Sequence, residues 1–376
     1  GPASENPTDV ADLVAPSAAS QFNYPAYTIE ATTNVEVTVD WINDLVDPAN
    51  GNLRPHLLPV DRSLHWANPE LLDCNNPTKT IDCRPAASNG SILQEPYDGP
   101  VPIVVHVHGA HVGPESDGYP EAWWLPAADN IGGYATEGSL ANGYGVTNTG
   151  GGVGAFSYPN TQPSTTLWYH DHTLGMTRNN VYAGPAGFWL IRQNDGGEDG
   201  LVSGALPGPA PLAGEDLLET NVTGRHKYRE IPIVIQDRAF NIDGSLFYPD
   251  TRAFFDGVTG PYIPDTDISP LWTPEFFGNM MMINGNTWPF QTVEQRRYRL
   301  RLLNGCNSRF LNLALVVVES SDGSLVGTEI PFYQIGAEQG FLPQVVTLND
   351  LLMGPAERAD VIIENSKPGT GRAGRS

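Results

Sequence analysis

The chain has 376 residues, enough for two or three domains, each with its own core. Its 40 glycines, 33 prolines and only 17% charged residues describe many short strands joined by turns, which makes the expected fold class all-β and excludes a protein of long surface helices. A net charge of −23 and a pI near 4.5 exclude the clustered Lys and Arg that phosphate backbones and anionic membrane faces require, so no nucleic-acid or membrane partner is expected.

Residues 1 to 23 are rich in Ala, Ser and Pro without periodicity and predict an irregular segment. Regular structure is expected from about Tyr27, and Val35 to Ile42 alternates cleanly as a strand. Cys74 and Cys83 bracket a short polar loop. A local disulfide and a pair of free thiols both fit that spacing; the disulfide would favour an oxidising, extracytoplasmic or secreted setting. Ile103 to His108 and Thr166 to His170 are the next expected strands, and the Gly-, Asn- and Thr-rich stretch between them, Gly132 to Gly154, reads as a surface loop. It lacks the lysine of a phosphate-binding loop. Ala186 to Arg192 reads as the closing strand of a first domain, residues 1–195, and the acidic, Gly- and Pro-rich Asn194 to Leu218 as a linker.

The second domain, residues 196–376, has expected strands at Ile231 to Gln236, Met280 to Asn284, Arg297 to Leu303, Phe310 to Val318 and Arg358 to Ile363. Its one histidine, His226, sits between Arg225 and Lys227 and reads as a solvated basic patch. Met280 to Met282 alternate in an extended run, where core packing is the simpler reading, and Cys306 reads as a small buried apolar residue. This domain is expected to be structural. Asn89 and Asn221 head glycosylation sequons, a pattern that arises often by chance.

The chemistry concentrates in Val105-His106-Val107-His108-Gly109 and Trp168-Tyr169-His170-Asp171-His172. Side chains alternate across a strand, so His106 and His108 share a face, as do His170 and His172. Two such strands side by side present four imidazoles, ligands suited to copper, zinc, iron or nickel. A hydrolase reading starts from His106-x-His108-x-x-His111, similar to the H-x-H-x-D-H signature of the metallo-β-lactamases, but Ala110 stands where that signature needs a metal-binding Asp. His111 is then a loop histidine outside the inner shell.

A longer ordered match adds Ser116 to Trp123, Asn180 to Gly184, Asp243 to Pro249, Ile283 to Gly285 and Pro355 to Arg358. Together with the histidine motifs these resemble the multicopper oxidases, most of all the group of bacterial spore-coat laccases, bilirubin oxidase and phenoxazinone synthase, over about Tyr27 to Ile363. The resemblance implies tandem cupredoxin-like Greek-key sandwiches and copper as cofactor. It makes His106 a type 2 copper ligand, His108, His170 and His172 ligands of the type 3 pair, and Asp117 an outer-sphere acid that assists proton delivery to dioxygen. Asp171, between two ligands, is expected to point away from the metals and to serve through hydrogen bonds.

That family places the other four trinuclear ligands and the type 1 copper in a third domain, with H-P-x-H-x-H and H-C-H motifs that this sequence lacks. The expectation is therefore half of a trinuclear site, completed by a C-terminal cupredoxin domain or separate polypeptide, with dioxygen and a small aromatic reductant as reactants. Two other readings stand beside it: a non-catalytic copper-binding or assembly fragment, and, third, a metallohydrolase.

Overall fold

A computed structural model of the chain describes residues 25–72, 74, 81–85, 95–142, 147–148, 151–193, 206–207, 229–251, 253–257, 272, 275–291, 293, 297–318 and 324–364. The expected irregular start, most of the expected linker, His226 and both sequons lie outside these.

The first half is a two-layer sandwich. Strands β1 (Ile29–Thr32), β2 (Val37–Ile42), β3 (Val105–His108), β4 (Thr147–Asn148), β5 (Val153–Tyr158), β6 (Thr165–Asp171) and β7 (Ala186–Arg192) form a four-stranded sheet, β1-β7-β6-β3, and a three-stranded one, β2-β5-β4. Helix α1 (Thr177–Ala183) joins β6 to β7. The expected strands fall where alternation placed them; β4 and β5 arise inside and beyond the stretch read as a loop. Val107, Leu167, Tyr169, Trp189 and Ile191 from the larger sheet pack on Phe156 and Tyr158, with Trp123 and Trp124 between, and this aromatic core holds the two layers together. Cys74 and Cys83 are joined in a disulfide.

The second half repeats the plan with β8 (Glu230–Arg238), β9 (Met280–Ile283), β10 (Asn286–Thr287), β11 (Arg297–Asn304), β12 (Leu311–Val318), β13 (Leu325–Ile330), β14 (Phe332–Ala337), β15 (Gly340–Leu348), β16 (Asp350–Met353) and β17 (Arg358–Glu364). A seven-stranded sheet, β10-β9-β8-β11-β17-β14-β15, faces a three-stranded one, β13-β12-β16. Alternation again decides the core: Tyr298, Leu300 and Leu302 of β11 and Ala359 and Val361 of β17 point inward with Leu311, Leu351 and Met353.

The opposite faces of the two large sheets meet each other. Trp168, Ala186, Phe188 and Leu190 of the first half pack on Val234 and Leu303 of the second. Beside this apolar patch lies a buried ionic group. Glu230 accepts from Arg192 at 3.2 Å and pairs with Arg301; Arg299 forks onto Asp360 at 2.8 and 2.5 Å. Arg301 also donates to Thr166 Oγ1 at 2.6 Å, across to β6. Every residue of β6 is therefore buried, by its own sandwich on one side and by the second half on the other.

Candidate metal centre

Because Val107, Leu167 and Tyr169 turn into the sandwich core, alternation puts His106, His108, Trp168 and His170 on the opposite face. The antiparallel register sets His106 against His170 and His108 against Trp168. His106 lies 5.6 Å from His108 and 5.5 Å from His170, ring centre to ring centre. His172 is one residue past β6, yet its N–H donates to Val104 O at 2.8 Å, which prolongs the ladder and leaves its ring 4.9 Å from that of His106. One nitrogen each of His106, His108 and His170 fall within 4.8 Å of one another.

The hydrogen bonds fix which nitrogen each ring offers. A carbonyl oxygen only accepts, so Nδ1 of His106 donates to Asp117 O (2.5 Å), Nδ1 of His170 to Asp171 O (2.7 Å) and Nδ1 of His172 to Gly118 O (3.0 Å). Each of these three rings keeps the lone pair on Nε2. His108 is turned the other way, its Nδ1 3.3 Å from His170 Nε2. Burial, the Arg358 charge and the neighbouring imidazoles hold His108 down at about 4. Burial and the three other rings hold His170 at about 3, against the raising effect of its bond to Asp171 O, and burial with His106 lowers His172. Lone pairs are thus available at neutral pH, as metal ligation requires.

The loop Asp117–Gly118 supplies two of the orienting carbonyls. Gly118 has φ +76°, and a Cβ there would crowd the Val105 carbonyl and the His106 Cα; only glycine lets the loop approach β3 so closely. Gly118→Ala is expected to push that loop outward and weaken metal binding about tenfold, in the range of losses of groups that orient ligands, read by competition with a chelator of known affinity. The Asp117 carboxylate, about half exposed at 47%, stands 3.3 Å from His106 Nδ1. Asp171 points away from the rings: its carboxylate accepts from Val104 N (3.1 Å), Thr173 Oγ1 (2.8 Å) and Thr173 N (2.9 Å). Burial raises it to about 6 in spite of these bonds.

The four rings open into a cavity of about 410 Å³. Its far wall comes from the second half, which sequence reasoning treats as structural: Arg238, Asn304 to Asn307, Pro355 and Ala356. Cys306 is buried and free, as expected, but it faces this cavity, with burial pushing its thiol up to about 12. Trp168 forms the floor, 4.2 Å from the His170 ring. The expected ligands His106, His108, His170 and His172 are brought together; His111 is exposed, its N–H bound by Gln162 Oε1 at 2.8 Å. His56 and His65 are engaged elsewhere, by Asn180 and by Asp82 O. Sequence reasoning missed the second-half wall because its residues lie more than sixty positions from the nearest of the histidines, and only the Pro355 to Arg358 motif hinted at it.

The chain matches no family model. It is 32% identical over 341 residues to a laccase of Bacillus subtilis, covering 91% of this chain and 49% of that protein. It is 34% identical over 343 residues to a laccase of Bacillus stratosphericus, with 91% and 49% covered, and 31% identical over 344 residues to multicopper oxidase LPR1 homolog 3 of Oryza sativa subsp. japonica, with 91% and 47% covered. Among solved structures, the fold is similar to that of the McoA multicopper oxidase from Aquifex aeolicus, with a TM-score of 0.51, 20% identity and 90% of this chain and 47% of that one covered. It is also similar to a laccase-like multicopper oxidase, CueO, from Ochrobactrum sp., with a TM-score of 0.51, 18% identity and 92% and 49% covered. The chain spans about half the length of the relatives it matches.

Proposed function

This chain is a relative of the multicopper oxidases over nine tenths of its length, and from that premise we propose that it contributes half of a trinuclear copper centre to a laccase-like oxidase. The observation that carries the reading is the convergence of four imidazoles on a single cavity, three of them with Nδ1 tied to a backbone carbonyl and the lone pair on Nε2. The donor set fits copper: imidazole nitrogens suit it, and three of the four ring orientations are already held by backbone carbonyls. In this reading His106 holds the type 2 ion and His108, His170 and His172 hold the type 3 pair.

Bound copper would supply the one-electron steps that couple oxidation of a small aromatic reductant to reduction of dioxygen to water. The chain's own residues prepare the site for this. Trp168 and the second-half wall line the cavity, the carbonyls of Asp117, Asp171 and Gly118 keep three Nδ1 protons in place, and the Asp117 carboxylate, beside His106 yet open to solvent, would pass a proton inward. No cysteine of the chain has a histidine neighbour in sequence, so type 1 copper and the site for the reductant belong in this reading to a further C-terminal cupredoxin domain or polypeptide. Residues 1–195 and 196–376 are then cupredoxin-like domains one and two. The Cys74–Cys83 disulfide supports an extracytoplasmic setting, and no helix among the described residues is long and apolar enough to cross a membrane.

Native mass spectrometry of material isolated from its source tests the proposal in one spectrum. The expected species is heavier than 40.6 kDa and carries several copper ions. A lone, metal-poor chain of that mass would overturn it in favour of a non-catalytic fragment.

A further inference from the structure

The Pro355 to Arg358 motif is not a ligand set, yet it reaches the histidine strand. Glu357 N donates to Gly354 O at 3.1 Å, closing a turn with Pro355 at its second position and Ala356 at its third. Ala356 has φ 72°, the value such a turn demands and one for which glycine is the usual residue. A residue with a Cβ holds that conformation only where its surroundings over-determine it. Here they do: Ala356 N donates to Asn304 O at 2.9 Å, Asn304 N donates to Glu357 O at 3.0 Å, and Ala356 O accepts from Arg358 Nη1 at 2.9 Å.

The turn aims the Arg358 guanidinium at the first half. Nε donates to Thr166 O at 3.1 Å; Nη1 and Nη2 donate to Glu338 Oε2 at 2.7 Å and Glu338 O at 3.3 Å. Glu338 O also accepts from Thr165 Oγ1 at 3.1 Å. A Cβ built on Gly109, the residue after His108, would lie 3.2 Å from Arg358 Nη2, so the same guanidinium bears on the turn that ends β3. Thr166, Trp168 and His170 share one face of β6, and Trp168 stands between the grip and the ring of His170, 5.7 Å from His108 and 4.2 Å from His170. Arg358 itself is 2% exposed, a buried charge that persists because Glu338 and three carbonyls hold it.

We propose that Arg358 is a positioning residue for the His108 and His170 imidazoles: reaching from the second half, it holds β6 at Thr166 and lies against the Gly109 turn that follows β3, so that docking of the two halves sets the spacing of the rings. The planar fork is essential, because it serves Thr166, Glu338 and Ala356 at once; an ammonium at a single point cannot. The consequence for copper rests on the proposed role of these histidines, whereas the spacing is a property of the metal-free chain.

The test uses the full chain with 15N-labelled histidine, without metal, and then a copper titration by chelator competition. Arg358→Lys and Arg358→Gln are expected to move the ring nitrogen signals of His108 and His170, leave those of His56 and His65 in place, and weaken copper binding about tenfold. Glu338→Gln, which loosens the guanidinium without removing it, is expected to give a smaller displacement of the same two rings even where the Arg358 variants fold poorly. Val361→Ala is the control, since Val361 lies on the same strand but faces the second-half core; it is expected to lower the melting temperature and leave the rings unmoved. Unchanged His108 and His170 signals in the Arg358 and Glu338 variants, or an equal shift in Val361→Ala, would overturn the proposal. Failure of the wild-type chain to bind copper would remove the copper function while the ring signals still decide the role of Arg358.

Discussion

Replacing His170 by alanine is expected to lower the affinity of the chain for copper by about 100-fold or more, since removing a ligand costs at least what removing a group that orients one does. His170 is the most enclosed of the four rings at 6% exposure. Its Nδ1 is committed to Asp171 O, its Nε2 faces His108 Nδ1 at 3.3 Å, and Trp168 backs its ring at 4.2 Å. His111→Ala supplies the contrast. That ring lies outside the cluster, and its loss is expected to change affinity by less than about twofold, the surface-substitution range. Chelator competition on both variants measures the difference, and oxygen consumption by the proposed oxidase, expected to vanish in His170→Ala, extends it to turnover. Equal copper affinities for the two variants would refute the assignment of His170 as a ligand.

Glu230→Gln is expected to destabilise the folded chain by about 3–5 kcal/mol, the cost of leaving buried charges without their partner. Burial alone would raise the Glu230 carboxyl, but Arg301, Arg192 and Arg299 overcome it and hold the group at about 2. A depressed carboxylate adds stability that is fully present above its unfolded value, near 4.5, and is lost as the pH falls through 4.5 towards 2. That interval corresponds to about 3 kcal/mol, of the same order as the mutational figure. Urea unfolding at pH 7 should show the whole loss, and near pH 2 the wild-type chain and the variant should converge. The exposed pair Arg297–Glu364, with side chains 58% and 41% accessible, sets the scale: its removal is expected to cost no more than about 1 kcal/mol. A Glu230→Gln variant that unfolds at the wild-type urea concentration would show that the group is solvated in solution.

The parts of this fold that were legible in the sequence are those governed by neighbours along the chain. Val35 to Ile42, Ile103 to His108 and Ala186 to Arg192 alternate or run apolar, and each contains a strand, the first two beginning two residues later than expected. The pairing of the two histidine motifs followed from the same period of two, because a strand face is fixed once Val107 or Tyr169 is assigned to the core. What was not legible depends on distant partners. Arg297 to Leu303 alternates Arg with Tyr or Leu, which reads as a half-solvated strand, yet Arg299 and Arg301 are each 1% exposed. Their partners lie 61 and 71 residues away, and Arg192 meets Glu30 across 162; local periodicity holds no trace of such contacts. β14 to β16 escaped for another reason. β15 is an edge strand whose residues 343–347 are all exposed, Val345 and Val346 among them, and Pro343 interrupts its apolar run, so no regular alternation marks it.

Complete burial of β6 also bears on how the molecule comes apart. Two sandwiches in tandem ordinarily melt one after the other, each protected by its own core. Here the strand that carries His170 lies in the interior of both: its inner face belongs to the first core and its outer face to the contact between halves. To part the halves is to wet Trp168 and break the bonds that Arg301 and Arg358 make to Thr166, and to unravel β6 is to dismantle the first core. The two events share a single free-energy cost, so the histidine cluster sits inside one cooperative unit rather than on the rim of a separable module.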